Sequence, residues 1–139
     1  MVEVAEEEFK KKISKRKKRR KLHILDKNKK IYFGEINQEK GLENGDGVLY
    51  NKHKGVKVYE GEWLLGKRNG IGKSFNHIGK LDYIGGYDLN EKKASGSSYG
   101  MNGKLCYQGD WSHNYPQGFG TLYDNSGAII NTGFWNTNP

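Results

Sequence analysis

The chain has 139 residues, 24 Lys/Arg against 16 Asp/Glu for a net charge of +8, and 34% hydrophobic residues beside 20 glycines. That is too little apolar mass for a thick two-layer core, and the single cysteine, Cys106, excludes an internal disulfide. The charge is uneven: residues 1–30 hold 13 Lys/Arg against five acids, whereas residues 31–139 hold 11 of each.

Residues 1–21 read as a separate basic element. Glu6, Glu7 and Glu8 stand four residues before Lys10, Lys11 and Lys12, the favourable orientation for helix pairs. Val2, Ala5, Phe9 and Ile13 form a narrow apolar stripe, so a helix is expected from about residue 2 to 20. Ten Lys/Arg then crowd into 12 residues: Lys10, Lys11, Lys12, Lys15, Arg16, Lys17, Lys18, Arg19, Arg20 and Lys21. Such a run suits a polyanion anchor (lipid headgroups, acidic protein tails or nucleic acid), a nuclear-localisation address or a solvated tail. The stripe is too narrow for deep burial in a membrane interface. No apolar run approaches the ~18 residues of a membrane span, and Glu3, Glu6, Glu7 and Glu8 oppose a transit peptide. A cytoplasmic location is therefore the expectation.

Residues 22–139 read as an array of β-hairpins. Leu22–Leu25, Asp26–Lys30 and Ile31–Phe33 read as strand, turn, strand, a cap on the array. From Tyr59 a pattern returns every 24 residues: Tyr59, Gly61, Trp63; Tyr83, Gly85, Tyr87; Tyr107, Gly109, Trp111; Asn131, Gly133, Trp135. The spacing of two puts these residues on one strand face, and Leu81, Leu105 and Ile129 share their parity. Lys57 stands in that aliphatic slot of the first full unit, with its stem expected along the face. The other parity is mostly polar (Glu60, Glu62, Asp82, Gln108, Asp110) and is expected to meet water. Glycine between two aromatics leaves bare backbone over which a ring can lie. Gly66, Asn69 and Gly70 suit a positive-φ loop, and further turns fall at 76–79, 100–103 and 124–127. Each hairpin should advance the array by roughly 10 Å.

The run Tyr-x-Gly-x-Trp-x-x-Gly-x-x-x-Gly-x-Gly, complete at residues 59–72, resembles the MORN (membrane occupation and recognition nexus) repeat. The Tyr107 unit carries it with Asn114 at one glycine, and the Tyr83 unit departs further with Asn90 and Ala94. An earlier unit shows at Tyr32, Gly34, Gly45 and Gly47, with Ile36 in the tryptophan slot. The units lie near residues 32–58, 59–82, 83–106 and 107–130, with a partial one at 131–135. The resemblance implies an all-β, elongated, single-layer antiparallel sheet, curved, with an aromatic-lined groove. It also implies a non-catalytic platform for proteins or membranes.

Catalytic motifs are weak. Gly72-Lys73-Ser74 lacks the leading glycine of a phosphate loop, since position 67 is Lys67, and strand rather than helix should come after it. His53 and His77 fall one repeat apart, too far for shared metal ligation. Ser112 and His113 lack an acid in register, and alternating Glu60 and Glu62 are ordinary on an exposed strand. No enzyme activity, cofactor or metal is expected. The expected partner-binding groove is Tyr59, Trp63, Tyr83, Tyr87, Tyr107, Trp111 and Trp135, rings that would also serve as core. The expected partner is a protein in a larger assembly, cytoskeletal, ciliary or membrane-associated, with anionic membrane or acidic tails meeting the basic segment. Nucleic acid is the weaker alternative, because basic residues do not interleave with the aromatics. The apolar strand Ala128–Trp135 would leave an open edge, expected to pair with a second copy or a partner's strand.

Overall fold

The computed structural model describes residues 22–137 together with Glu7. The expected helix over residues 2–20, Glu7 apart, and the Lys10–Lys21 run lie outside the described residues. What is described is all β: one open antiparallel sheet of ten strands in sequence order. They are β1 (His23–Lys27), β2 (Lys30–Asn37), β3 (Leu42–Asn51), β4 (Lys57–Leu64) and β5 (Lys67–Phe75). Then come β6 (Leu81–Asp88), β7 (Glu91–Tyr99), β8 (Leu105–Ser112), β9 (Tyr115–Tyr123) and β10 (Ile129–Asn136).

The pairs β4–β5, β6–β7 and β8–β9 are joined by two-residue turns at Leu65-Gly66, Leu89-Asn90 and His113-Asn114. Both central residues of each have positive φ, from +43° to +87°, the geometry that matches the right-handed twist of the strands. Placing Leu65 and Leu89 there carries strain, which bonds to the neighbouring hairpin offset. Leu65 N–H donates to Asn44 Oδ1 and Leu89 N–H to Asn69 Oδ1, each at 3.1 Å. Arg68 N–H and Lys92 N–H likewise donate to the side chains of Asn90 and Asn114 at 2.9 and 2.8 Å. Asn69 therefore serves the next turn with its amide oxygen; the positive φ expected of it belongs to Leu65, Gly66 and Gly70 instead.

At the other ends of the strands, a bulge precedes Tyr59, Tyr83, Tyr107 and Asn131. Ser74 pairs with Tyr83 while Phe75 pairs with Leu81, and the same slip recurs at Tyr99–Leu105, Tyr123–Ile129 and Tyr50–Lys57. Cross-strand partners share a face, so Leu81, Leu105 and Ile129 lie on the face opposite the tyrosines, contrary to the parity expectation. Lys57 is no exception to that series: its Nζ bonds Glu60 at 3.0 Å and sits 5.7 Å from the Phe75 ring. Cys106 is the extra residue of its bulge and is exposed.

Two faces result. The tyrosine face carries one buried cluster running through Tyr32, Tyr59, Trp63, Tyr83, Tyr107 and Trp111. The opposite face is polar along much of its length, but a second cluster of Phe33, Val48 and Tyr50 lies on it near the N-terminal edge. That cluster departs from the expectation of a fully wetted face.

Candidate functional face

The tyrosine face rests on a row of glycines that crosses the sheet from strand to strand. Gly34, Gly47, Gly61, Gly72, Gly85, Gly96, Gly109, Gly120 and Gly133 are successive cross-strand partners. The tyrosine two residues before a glycine folds its ring down onto that row, where any Cβ would collide with it. A Cβ on Gly61, for example, would stand 2.8 Å from Tyr59 Oη and 2.5 Å from the Gly72 Cα. The rings reach past the row to a fixed acceptor: the hydroxyls of Tyr59, Tyr83 and Tyr107 donate to the carbonyls of Glu62, Gly86 and Asp110, each at 2.9 Å. Tyr32 does the same to Glu35 at 2.7 Å.

The second aromatic of each unit binds hairpins together. Trp63, Trp111 and Trp135 donate Nε1–H to the carbonyls of Gly47, Gly96 and Gly120 at 2.9–3.1 Å. Each such ring also meets two tyrosines edge-to-face or, at the C-terminal end, one. The result is an unbroken zigzag from Tyr32 through Trp63, Tyr59, Tyr87, Tyr83, Trp111 and Tyr107 to Trp135. Centroids stand 5.0–6.2 Å apart at near-perpendicular angles, the arrangement in which ring edges meet ring faces.

Two cations lie over this zigzag. Arg68 stands 5.8 and 5.4 Å from the Tyr59 and Tyr87 centroids, and Lys92 Nζ 4.8 and 5.3 Å from those of Tyr83 and Trp111. Both occupy the second position of an outgoing strand, opposite Trp63 and Tyr87. Glu43, opposite Ile36, takes the same place in the first unit and is buried against Lys27. Burial lowers the Lys92 ammonium below its ordinary range, partly offset by Asp82. Burial raises the phenols of Tyr32, Tyr59, Tyr83, Tyr87 and Tyr107 above their usual value. At neutral pH the face is therefore a set of uncharged rings beneath two positive side chains. A shallow depression of about 280 Å³ on it is lined by Lys27, Glu43, Tyr59, Trp63, Arg68 and Asn90, among others.

The rings expected to line a groove are thus brought together on one face. Tyr59, Trp63, Tyr83, Tyr87, Tyr107 and Trp111 are buried at 0–7% exposure, and Trp135, at the C-terminal end, is half-buried. Sequence reading overlooked Arg68 and Lys92 and held that basic residues do not interleave with the aromatics; here they do. The overlooked signal was their place two residues after a two-residue turn, which puts them beside the rings.

A second regularity lies beneath the face. Where the strand leaves the glycine row, Glu62 and Asp110 turn back to accept the N–H groups of Ile71 and Phe119 at 2.5 and 3.1 Å. The facing glycines, Gly45, Gly70 and Gly118, have φ near +100° and lie against the carboxylates of Glu35, Glu62 and Asp110. The Tyr83 unit replaces both partners at once. Gly86 stands for the acid and Ala94, at φ +62°, for the glycine, with the Ala94 methyl 3.5 Å from where a Gly86 Cβ would be.

Ser112 Oγ and His113 Nδ1 are 2.8 Å apart at the exposed end of β8, and Gly72-Lys73-Ser74 lies in the C-terminal half of β5 with Gly72 and Ser74 buried. Among the described residues, no three His, Cys, Asp or Glu side chains gather as a metal site. No curated protein matches the chain. The family model for the MORN repeat matches residues 59–74 and 107–129, the two stretches where tyrosine, glycine and tryptophan all hold their places. The same ring-on-glycine architecture repeats between and before those stretches, and at the two matched stretches the chain carries MORN repeats.

Proposed function

We propose that this protein is a non-catalytic scaffold subunit that docks a protein partner on its tyrosine face or along its β10 edge, and meets a polyanionic surface through its basic N-terminal run. Repeat arrays present extended surfaces rather than enclosed sites, and the MORN repeat is consistent with a role in protein interaction. The observation that carries the reading is the ring zigzag overlain by Arg68 and Lys92. It holds two cations in fixed places on the face, complementary to an extended or helical segment bearing acids. The β10 edge adds a second contact, since Ile129, Ile130 and Phe134 on it are more than half exposed. A cytoskeletal, ciliary or membrane-associated assembly is the setting we favour.

The nucleic-acid alternative gains from the interleaved cations but loses more from ring burial, because a base cannot stack on a ring that is 0–7% exposed. An anionic-phospholipid surface remains the other polyanion of interest for the basic run. Binding titrations of the full chain against acidic peptides, acidic vesicles and single-stranded RNA across a salt series test these readings. Acidic-peptide binding that survives high salt and weakens in Lys92→Ala and Arg68→Ala supports docking on the tyrosine face. Binding to all three that vanishes together with salt, unaffected by either substitution, refutes that part and leaves only charge on the tail.

A further inference from the structure

The two edges of the sheet depart from the repeat, and they depart in matching ways. Each unit is a first strand carrying the tyrosine and a second strand carrying the glycine under its ring: β2 and β3, β4 and β5, β6 and β7, β8 and β9. β1 meets β2, and β9 meets β10, as β5 meets β6 between units. So β1 is a second strand without a first, and β10 is a first strand without a second. Each has one strand beside it and, among the described residues, one unpaired edge.

The side chains at these edges break the pattern at two related positions. The glycine row ends on β1 at His23, which pairs with Gly34 and is the one row position with a side chain. Within the units that exchange is barred. A Cβ on Gly47, Gly72, Gly96 or Gly120 would run into the hydroxyl of Tyr32, Tyr59, Tyr83 or Tyr107 from its own first strand. On β10 the tyrosine is missing: Asn131 takes its place, exposed, and a Cβ on Gly133 would meet nothing within 4 Å. The first strand without the ring is thus the one able to face a second strand without the glycine. The other face agrees. Phe134, 70% exposed, stands where two other first strands carry Glu62 and Asp110, and Ile24 on β1 is 51% exposed.

We propose that β10 of one copy pairs with β1 of another, antiparallel and with Gly133 opposite His23, so that copies join head to tail in one continued sheet. This rests on the reading of the β10 edge as a contact, and names its partner as a second copy of the chain. The register is that of Gly61 on Gly72 within a unit. It sets Thr132 opposite Ile24 and Asn131 opposite Leu25, and brings Phe134 diagonally beside Ile24 on the face away from the tyrosines. The unpaired N–H and C=O groups of both edges gain ladder partners. A strand of five residues gives far less than the ~20–30 residues a side of a stable interface, so joining is reversible and rises with concentration. The contact is heterologous, each joined pair keeps one free edge of either kind, and growth is open-ended.

Cysteine cross-linking of full-length chains tests this. Ile24→Cys and Thr132→Cys are placed in separate chains in a Cys106→Ser background, mixed at high concentration and oxidised. A dimer joining position 24 to position 132 is the expected product. Both cysteines in one chain should give a ladder of multimers, since the two positions lie at opposite edges of the ten-stranded sheet. A 132–132 product would overturn the head-to-tail register while keeping β10 as a contact edge. No product of either kind would overturn the inference alone, because the acidic-peptide titrations judge the scaffold reading separately. Asn131→Tyr restores the ring to the last unit, and should cut the 24–132 product ~10-fold by collision with His23. His23→Gly in the opposing chain should then bring the product back. With strand signal retained in each variant, an undiminished yield in Asn131→Tyr or no rescue by His23→Gly would reject the register.

Discussion

The glycine row can be tested with a single kind of substitution at three places. Gly85 sits mid-row with a φ outside the left-handed region, and an added Cβ would stand 2.5 Å from the Gly96 Cα, 2.5 Å from the Ser95 carbonyl and 2.7 Å from Tyr83 Oη. Two of those three obstacles are backbone of the paired strand, so relief means separating β6 from β7 or lifting Tyr83, a ring with 0% exposure. Gly85→Ala should therefore cost about 3 kcal/mol or more, the upper end for overpacking. Gly103 has open space around its Cβ but a φ of +79°, so Gly103→Ala should cost ~1 kcal/mol from the left-handed backbone alone. Gly133 has neither obstacle, and Gly133→Ala should stabilise by ~0.4–1 kcal/mol by restricting the unfolded chain. Urea unfolding followed by tryptophan fluorescence and by far-ultraviolet dichroism gives the three midpoints. If Gly85→Ala falls within about 1 kcal/mol of Gly133→Ala, the rings do not require bare backbone, and the account of the tyrosine face is wrong.

Other variants and conditions probe the same contacts. Ala94→Gly should stabilise by ~1 kcal/mol by relieving positive φ, whereas Gly86→Glu alone should destabilise, since its Cβ would drive into the Lys93 carbonyl. The double substitution restores the acid and glycine of the neighbouring units, so a denaturation cycle should show favourable coupling of ~0.5 kcal/mol or more; additivity would refute the paired exchange. Tyr32, Tyr59 and Tyr83 have folded pKa values above the ordinary value near 10, so their stabilisation is complete below pH 10 and is lost as pH rises beyond it. Together they should remove ~4 kcal/mol per pH unit above 10, and tyrosinate absorbance should rise in step with loss of strand signal. Ionisation of most tyrosines before any unfolding would contradict their burial. Trp111→Ala removes the Nε1 bond to Gly96 and two ring contacts at 7% exposure, so a loss of ~3–5 kcal/mol is expected by thermal melting.

The sequence by itself determined the hairpins and the tyrosine face, because both depend on local periods. A spacing of two assigns Tyr59, Gly61 and Trp63 to one side of a strand whatever lies around them, and a stride of 24 repeats that assignment. It failed where one inserted residue reverses a face. The bulges before Tyr83, Tyr107 and Asn131 carry Leu81, Leu105 and Ile129 to the other side, and no local composition distinguishes a bulged strand from a regular one. Only the tertiary structure brought Arg68 and Lys92 over the rings, bound the Leu65 and Leu89 turns to asparagines of the preceding hairpin, and buried Phe33 and Val48. Those contacts join residues 9 to 21 positions apart, and their partners are chosen by register between strands, which the chain acquires only when the hairpins pack side by side.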